Sequence, residues 1–126
     1  MADDDDAMPD TSLNLIVIRA ADIDTSRAFY ELLGVNFQHE QHGNGPEHFA
    51  ADLDGVIFEL YPQTNDLHAS DSARLGFTVH SLNDTVSQLD QFGSKIVSPP
   101  KDTQFGKRAV VADPDGRRIE LKQSSS

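Results

Sequence analysis

Cysteine is absent from the chain, and this absence excludes several kinds of site. Without thiols there can be no disulfides, no thiolate zinc sites, no iron–sulfur clusters and no cysteine nucleophile. The sequence also lacks a run of eighteen apolar residues and a leader in which positive charge precedes an apolar stretch. We therefore expect a protein that neither spans a membrane nor carries a secretory signal peptide, and we place it in the cytoplasm.

Positive charge is scarce in this sequence. The 126 residues include 10 Lys and Arg but 21 Asp and Glu, which gives a formal net charge of −11. Five of the acids precede residue 12, so 16 acids and 10 bases remain in the body, for a net charge of −6. An acidic body disfavours nucleic acid and anionic membranes as partners. The length is that of one ordinary domain.

Both ends of the chain lack hydrophobic periodicity. Residues 1–12 combine a block of aspartates with few apolar side chains, and residues 124–126 are all serine. Such segments bury too little apolar surface to offset the entropy lost on ordering, so we expect a disordered leader at 1–12 and a disordered tail at 124–126. The predicted domain is 13–123.

Apolar periodicity divides this domain into two similar halves. In each half, a β-branched strand is followed by an amphipathic helix and by three short runs typical of antiparallel strands. Asp24 is the predicted N-cap of the first helix, and Asn83 or Ser81 that of the second. The helices are predicted to end at Gly34 and Gly93.

A sequence repeat supports the division into halves. The matching pairs are Leu33-Gly34 with Phe92-Gly93, at an offset of 59, and Asp54-Gly55 with Asp115-Gly116, at an offset of 61. Residues 13–62 and 74–123 are therefore predicted to be two tandem βαβββ units. The predicted fold class is α+β: a cupped, mostly antiparallel mixed sheet with the helices on the outside.

This doubled order, with DIDTSRAFYELLG in the first helix and FGKRAVVADPDGRRIEL near the end, resembles the vicinal oxygen chelate superfamily. That superfamily includes glyoxalase I, bleomycin and fosfomycin resistance proteins and extradiol dioxygenases, and the resemblance covers residues 13–123. It implies the cupped fold but no single reaction, because the scaffold carries lyases, transferases, dioxygenases and binding proteins. It also implies a homodimer, since relatives with one pair of units commonly dimerise.

Strand alternation predicts which side chains face the inside of the cup. Counting across the hairpins places His48 opposite Tyr61 in the first unit. In the second unit, a four-residue turn places Ala109 opposite Glu120. The candidate ligand-binding residues are Arg19, His48, Tyr61, Arg74, Thr78, Phe105 and Arg118, and the candidate catalytic residues are Glu59 and Glu120.

Metal enzymes of the superfamily take one ligand from the first and one from the last strand of each unit. The resemblance implies that these positions are Leu15, Glu59, Arg74 and Glu120. Leucine offers no donor, and a guanidinium stays protonated and repels a divalent cation, so we predict no metal at the standard position. The alternative is a nonstandard divalent metal at Glu59, Glu120 and His48, although a lone strand histidine is more often a hydrogen-bonded wall residue.

His39 and His42 do not form a predicted metal pair. Their spacing is three residues, whereas the metalloprotease motif on a helix has four. A strand would also direct the two side chains to opposite faces.

Two roles remain open for the charged residues of the cup. In the first, Arg74 neutralises a carboxylate in an ion-pair network, and its removal would cost on the order of 3 kcal/mol if that pair were buried. In the second, Arg74 and Arg19 hold an anionic or carbonyl group while Glu59 or Glu120 abstracts a proton, as in an enolising isomerase.

The sequence thus predicts a small-molecule-binding protein of the glyoxalase/bleomycin resistance type, with its ligand in the charged cup and without the standard metal. An acidic body with aromatic side chains near the rim is compatible with a cationic or aromatic ligand. The alternative is a glyoxalase-like lyase or isomerase that uses Glu59 and Glu120 with a nonstandard metal or with none.

Overall fold

A computed structural model describes residues 11–125 as two helices and eight strands. The elements are β1 Leu15–Ala20, α1 Ile23–Leu32, β2 Gln38–Glu40, β3 His48–Leu53, β4 Val56–Pro62, β5 Leu75–Val79, α2 Leu82–Phe92, β6 Ile96–Thr103, β7 Gly106–Ala112 and β8 Arg118–Gln123. Of the expected leader and tail, residues 1–10 and 126 lie outside the described residues. In the described part of the tail, the backbone N–H of Ser124 donates to the carbonyl of Val79 at 2.8 Å.

The strands form two four-stranded sheets with the same topology. The order is β1-β4-β3-β2 in the first unit and β5-β8-β7-β6 in the second. In each sheet the first and last strands of the unit pair in parallel, and the hairpin pairs are antiparallel. The α+β prediction of tandem βαβββ units is confirmed.

One of the predicted helix N-caps is wrong. Asp22, not Asp24, is the N-cap of α1: its extended backbone lets its carboxylate accept the N–H of Thr25 at 3.1 Å, whereas Asp24 lies inside the first turn. The cap of α2 is Ser81, one of the two predicted residues. This helix ends at Gly93, whose φ of 98° is readily accessible only to glycine.

The core lies between the helices and one face of the sheets. The strand residues that the period of two places on the side of the helices are buried or packed against this core: Ile16, Ile18, Phe58, Leu60, Phe77, Val79, Ile119 and Leu121. Tyr30 of α1 connects the two units, since its ring centroid lies 5.2 Å from that of Phe58 and 5.8 Å from that of Phe77. The side chains on the opposite face of each sheet do not belong to this core.

A polar turn with two buried charged residues links the second unit to the first. In the turn at 113–117, the side chains of Arg117 and Asp113 are 2% and 0% exposed and form an ion pair at 3.0 Å. The hydroxyl of Tyr30 donates to the Asp113 carboxylate at 2.6 Å. Arg117 also donates to the backbone carbonyl of Arg19, and Asp115 accepts the N–H of Ala21 at 3.1 Å.

The strand register confirms one hairpin count and overturns the other. In the first unit Ala50 pairs with Glu59, as the two-residue turn predicts. In the second unit Val110, not Ala109, pairs with Glu120. The cause is the turn length: Ala112 pairs with Arg118, so five residues rather than four lie in the turn, and every predicted partner on β7 shifts by one.

Candidate functional site

His48 is the centre of a polar cluster on the open face of the first unit. Its side chain is 1% exposed, and its ring stacks on that of Tyr61 with centroids 4.1 Å apart and an interplanar angle of 9°. Its Nε2 lies 3.2 Å from Glu40 Oε1, 3.3 Å from the Tyr61 hydroxyl and 3.7 Å from Glu59 Oε2. The prediction that His48 lies opposite Tyr61 is confirmed by the ring stacking.

Two residues of this cluster were not predicted. Glu40 ends β2, and His42 follows it in the loop, with its Nε2 3.5 Å from the same Glu40 oxygen. A turn in which the N–H of Gly45 donates to the His42 carbonyl at 2.9 Å returns the chain toward β3. One ligand atom from each of Glu40, His42 and His48 lies within 4.8 Å of the others, so these three residues form a possible metal-binding group.

The alternation argument was correct for His39 but did not apply to His42. His39 is on β2 and pairs with Glu47 at 2.8 Å. Strand β2 ends at Glu40, so His42 no longer follows the period of two. The signal in the sequence was the glycine-rich turn immediately after His42, because such a turn folds a loop residue back over its strand.

Arg19 and Tyr61 extend the cluster along the sheet. The Arg19 guanidinium lies 4.9 Å from the centroid of the Tyr61 ring and donates to the Pro62 carbonyl at 3.2 Å. Partial burial, followed by the neighbouring Glu59 carboxylate, raises the pKa of the Tyr61 hydroxyl. Tyr61 is therefore a hydrogen-bond donor at neutral pH.

Glu120 is the centre of a different cluster on the second unit. Arg74 Nε donates to Glu120 Oε2 at 2.8 Å, and Arg108 Nη1 lies 3.7 Å from Oε1. The Arg74 and Glu120 side chains are 60% and 39% exposed, so this pair is not a buried ion pair. Arg108 was not among the predicted site residues, because the predicted register of β7 was wrong by one residue and placed its side chain on the face away from the cup.

A small cationic cavity lies beside Glu120. Its volume is about 230 Å³, and its lining residues are Gly76, Phe77, Thr78, Arg108, Glu120, Leu121 and Lys122. Among the predicted ligand-binding residues, Thr78 lines it directly. Phe105 is exposed in the turn before β7, with the Arg108 guanidinium 5.8 Å from its ring centroid, and Arg118 is exposed at the start of β8.

An apolar groove adjoins this cavity between the two units. Its volume is about 630 Å³, and its lining residues are Leu13, Ile16, Leu53, Asp54, Val56, Phe58, Leu75, Gly76, Phe77 and Thr78. Gly76, Phe77 and Thr78 are common to the cavity and the groove. A separate cavity of about 660 Å³ near Asp24 and Lys95 contains none of the predicted site residues.

The two predicted catalytic glutamates belong to different clusters. Glu59 lies against His48, whereas Glu120 is held by Arg74 and Arg108. Within residues 11–125, no hydrogen bond, ion pair or ring contact joins one cluster to the other.

The superfamily's metal positions do not fit a metal in this chain. Leu15 is 48% exposed on β1 and brings no donor atom. Arg74 brings its positive charge to 2.8 Å from Glu120, where a cation would otherwise bind. Only Glu59 and Glu120 could coordinate, and two carboxylates on separate sheets make an incomplete site.

In the part of the chain that the structure describes, no helix has the length and apolar character needed to cross a membrane. Both helices are short, with 10 and 11 residues.

Comparisons with known proteins agree with this architecture. An uncharacterized protein of Mycolicibacterium smegmatis is 27% identical over 113 residues, which cover 89% of this chain and 93% of that protein. The structure of TnmS3, an antibiotic-binding protein from Streptomyces sp. CB03234, superposes with a TM-score of 0.69 at 24% identity, covering 94% of this chain and 100% of that one. A glyoxalase-related enzyme from Fulvimarina pelagi gives a TM-score of 0.69 at 20% identity, covering 90% and 88%.

The family model of the glyoxalase/bleomycin resistance protein/dioxygenase superfamily matches residues 12–121, nearly the whole described chain. The solved structures, at these identities, show the fold alone. The chain therefore belongs to the glyoxalase/bleomycin resistance protein/dioxygenase superfamily.

Proposed function

We propose that this protein binds a small molecule across the apolar groove and the cationic cavity, without a metal at the superfamily's standard position. The observation that carries the proposal is that the two spaces border the same segment of the edge strand β5, Gly76 to Thr78, and so lie side by side. A largely apolar pocket with a few convergent polar groups is the usual form of a small-molecule site.

The local charge indicates the polar end of the ligand. Although the body of the chain is acidic, the Glu120 carboxylate pairs with Arg74 and Arg108, and Lys122 lines the same cavity. The two arginines together exceed the single negative charge, and their planar guanidinium groups suit carboxylate and carbonyl oxygens. We infer a ligand with an aromatic or aliphatic body and an anionic or carbonyl end, which differs from the cationic ligand that the overall charge favours.

Gly76 provides a steric test of this site. A Cβ placed there would have its nearest contacts at 3.9 and 4.0 Å, both on Glu120, so the backbone tolerates a larger side chain. That side chain would project into the cavity beside Glu120. Gly76→Leu should therefore remove binding while the protein stays folded. Arg108→Ala should weaken binding roughly tenfold by removing one charged contact, and Arg118→Ala is the matched arginine control outside the cavity.

The measurement is a thermal-shift screen followed by calorimetric titration. The three panels are aromatic carboxylates, cationic antibiotics and thiol adducts of 2-oxoaldehydes, and we expect saturable binding in the first panel. An equal loss of binding in Gly76→Leu, Arg108→Ala and Arg118→Ala would contradict the placement of the site. Saturable binding confined to the cationic panel would contradict the inferred charge.

The similarity to an antibiotic-binding protein supports binding, and that to a glyoxalase-related enzyme supports a second candidate. That second function is a glyoxalase-like lyase or isomerase with Glu59 as the base. Glu59 is 16% exposed and borders His48, whereas Glu120 is held by arginines. Turnover of a 2-oxoaldehyde–thiol adduct that is lost in Glu59→Gln and retained in Glu120→Gln would establish it; binding without turnover would contradict it.

We also propose a cytoplasmic homodimer. Leu13, Leu15 and Val17 are between 41% and 64% exposed on and beside β1, which is an edge strand of its sheet. An apolar stripe on a sheet edge suits pairing with a second copy. Sedimentation velocity should give a species of twice 13.8 kDa that Val17→Lys converts to monomer; a monomer at tens of micromolar would contradict the proposal.

A further inference from the structure

We propose that Glu40, His42 and His48 bind a divalent transition-metal ion, at a place distinct from the superfamily's standard metal positions. We call these three residues the β2–β3 site. Their ligand atoms lie within 4.8 Å of one another, so modest side-chain rotations would bring all three to the distance of about 2.0–2.2 Å at which each would bind one shared zinc ion. They come from the end of β2, the loop after it and the start of β3.

His48 is oriented as a ligand by its backbone surroundings. Its Nδ1 lies 3.3 Å from the carbonyl oxygen of Pro46, and a hydrogen bond donated by Nδ1 to that oxygen leaves Nε2 as the ring nitrogen with a lone pair. This arrangement, in which one ring nitrogen donates to a carbonyl and the other coordinates, is the usual outer-shell support of metal-binding histidines. The ring is also held by its stacking on Tyr61.

The carboxylates around His48 Nε2 favour a cation at this place. With Nδ1 as the donor, His48 Nε2 accepts from the Tyr61 hydroxyl but also faces the carboxylates of Glu40 and Glu59, at 3.2 and 3.7 Å. Lone pairs that converge in this way repel one another unless a proton or a metal ion lies among them. The His42 imidazole approaches the same Glu40 oxygen, with its ring centroid 5.2 Å from that of His48.

The donor set selects the class of metal. Two imidazoles and one carboxylate suit Zn²⁺, Co²⁺, Ni²⁺ or Fe²⁺ and leave positions for water, whereas Mg²⁺ and Ca²⁺ prefer oxygen donors alone. The ion would also join the loop that carries His42 to the sheet. This inference is independent of the proposed ligand site, because the β2–β3 site shares no residue with the cavity or the groove.

The test is equilibrium dialysis and calorimetry of the full chain with Zn²⁺. We expect one ion per chain, no detectable binding of Mg²⁺, and a rise in melting temperature on the order of 10 °C when free Zn²⁺ is about a hundredfold above Kd. His42→Ala should weaken binding at least tenfold. His42 is 75% exposed, so its removal leaves the fold intact.

His39→Ala is the matched control, since His39 is also an exposed histidine paired with a glutamate, yet it lies outside the β2–β3 site. Glu120→Gln is the second control, and both should bind Zn²⁺ like the parent. With Co²⁺, the parent should show visible ligand-field bands that His42→Ala and Glu40→Gln lack. Equal weakening by His39→Ala and His42→Ala, or binding of less than one ion per chain, would overturn the proposal.

Discussion

The two βαβββ units have the same strand pairing, but the side chains on their open faces differ in chemistry. Glu59 and Glu120 occupy equivalent positions, each on the last strand of its unit and each paired across a hairpin with a small or medium apolar residue. Two residues farther along the same strand, the first unit has Tyr61 stacked on His48, whereas the second has Lys122 opposite Arg108.

This difference separates what the fold requires from what it permits. Residues on the helix-facing side are apolar in both units, because both units bury that side in one core. On the open side a residue does not contribute to that core, so imidazole and carboxylate groups collect on one unit and guanidinium groups on the other. The two open faces therefore carry different proposed sites, a metal site in the first half and the polar end of a small-molecule site in the second.

The last hairpins differ as well. A two-residue turn closes the first unit, in which Asp52 accepts the Gly55 N–H at 2.8 Å in an exposed position. In the five-residue turn of the second unit, Asp113 and Arg117 are buried, and Asp113, Asp115 and Arg117 all form hydrogen bonds with the first unit. We expect the longer turn to carry most of the polar stabilisation between the units.

The largest expected effect is that of Arg117→Ala. Its removal leaves the fully buried Asp113 carboxylate without its ion-pair partner, which should lower the free energy of unfolding by about 3–5 kcal/mol. Urea denaturation measures this directly. Arg118→Ala, at the exposed neighbouring arginine, should stay within about 0.5 kcal/mol of the parent; equal effects of the two variants would contradict the special role of the turn.

Tyr30→Phe should have the next largest effect. The hydroxyl donates to Asp113 at 2.6 Å, and hydrogen bonds to charged groups are worth about 1.5–3 kcal/mol. Burial, and then the Asp113 charge, raise the pKa of this hydroxyl above its ordinary value, so it remains a donor throughout the neutral range. In a double-mutant cycle with Arg117→Ala, the two losses should be non-additive, because both variants act on Asp113.

Arg74→Ala should have a small effect on stability. Since its pair with Glu120 is largely exposed, we expect a loss of no more than about 1 kcal/mol, not the loss of a buried pair. The residual effect should decrease in high salt. A loss of 3 kcal/mol in urea denaturation would mean that this cluster is covered in solution, for example by a second copy of the chain.

The smallest expected effect concerns acid and distinguishes the two helices. The backbone and side-chain hydrogen bonds of Thr25 lower the pKa of the Asp22 carboxyl below its ordinary value, whereas Ser81 makes no side-chain cap bond. A carboxyl whose pKa is lower in the folded than in the unfolded protein stabilises the fold at pH values above its unfolded-state pKa. This stabilisation is lost as the pH falls through the folded-state pKa. Between about pH 5 and pH 3, the amide protection factors, which are corrected for the intrinsic exchange rate, should therefore fall more in the first turn of α1 than in that of α2. In Asp22→Asn this pH dependence should disappear, and its persistence would assign it to another group.

Much of the fold was predictable because local periodicity determines it. The limits of β3 and β4, the end of α2 at Gly93 and the core face of each strand follow from hydrophobic spacing and glycine conformation. The N-cap of α1 was wrong by two residues, because Asp22 and Asp24 are equally good caps by residue type. Only the backbone conformation distinguishes them.

The sequence by itself determined the repeat, the topology and the apolar face of each sheet, because these depend on residue spacing within one element or between neighbouring ones. It also determined that Leu15 and Arg74 cannot act as metal ligands, since this follows from side-chain chemistry alone. The tertiary structure decided the register of β7, and with it the place of Arg108, because one extra turn residue reverses every side chain on a strand. It also decided the convergence of Glu40, His42 and His48, since the path of a loop back across its sheet depends on contacts that no sequence period records.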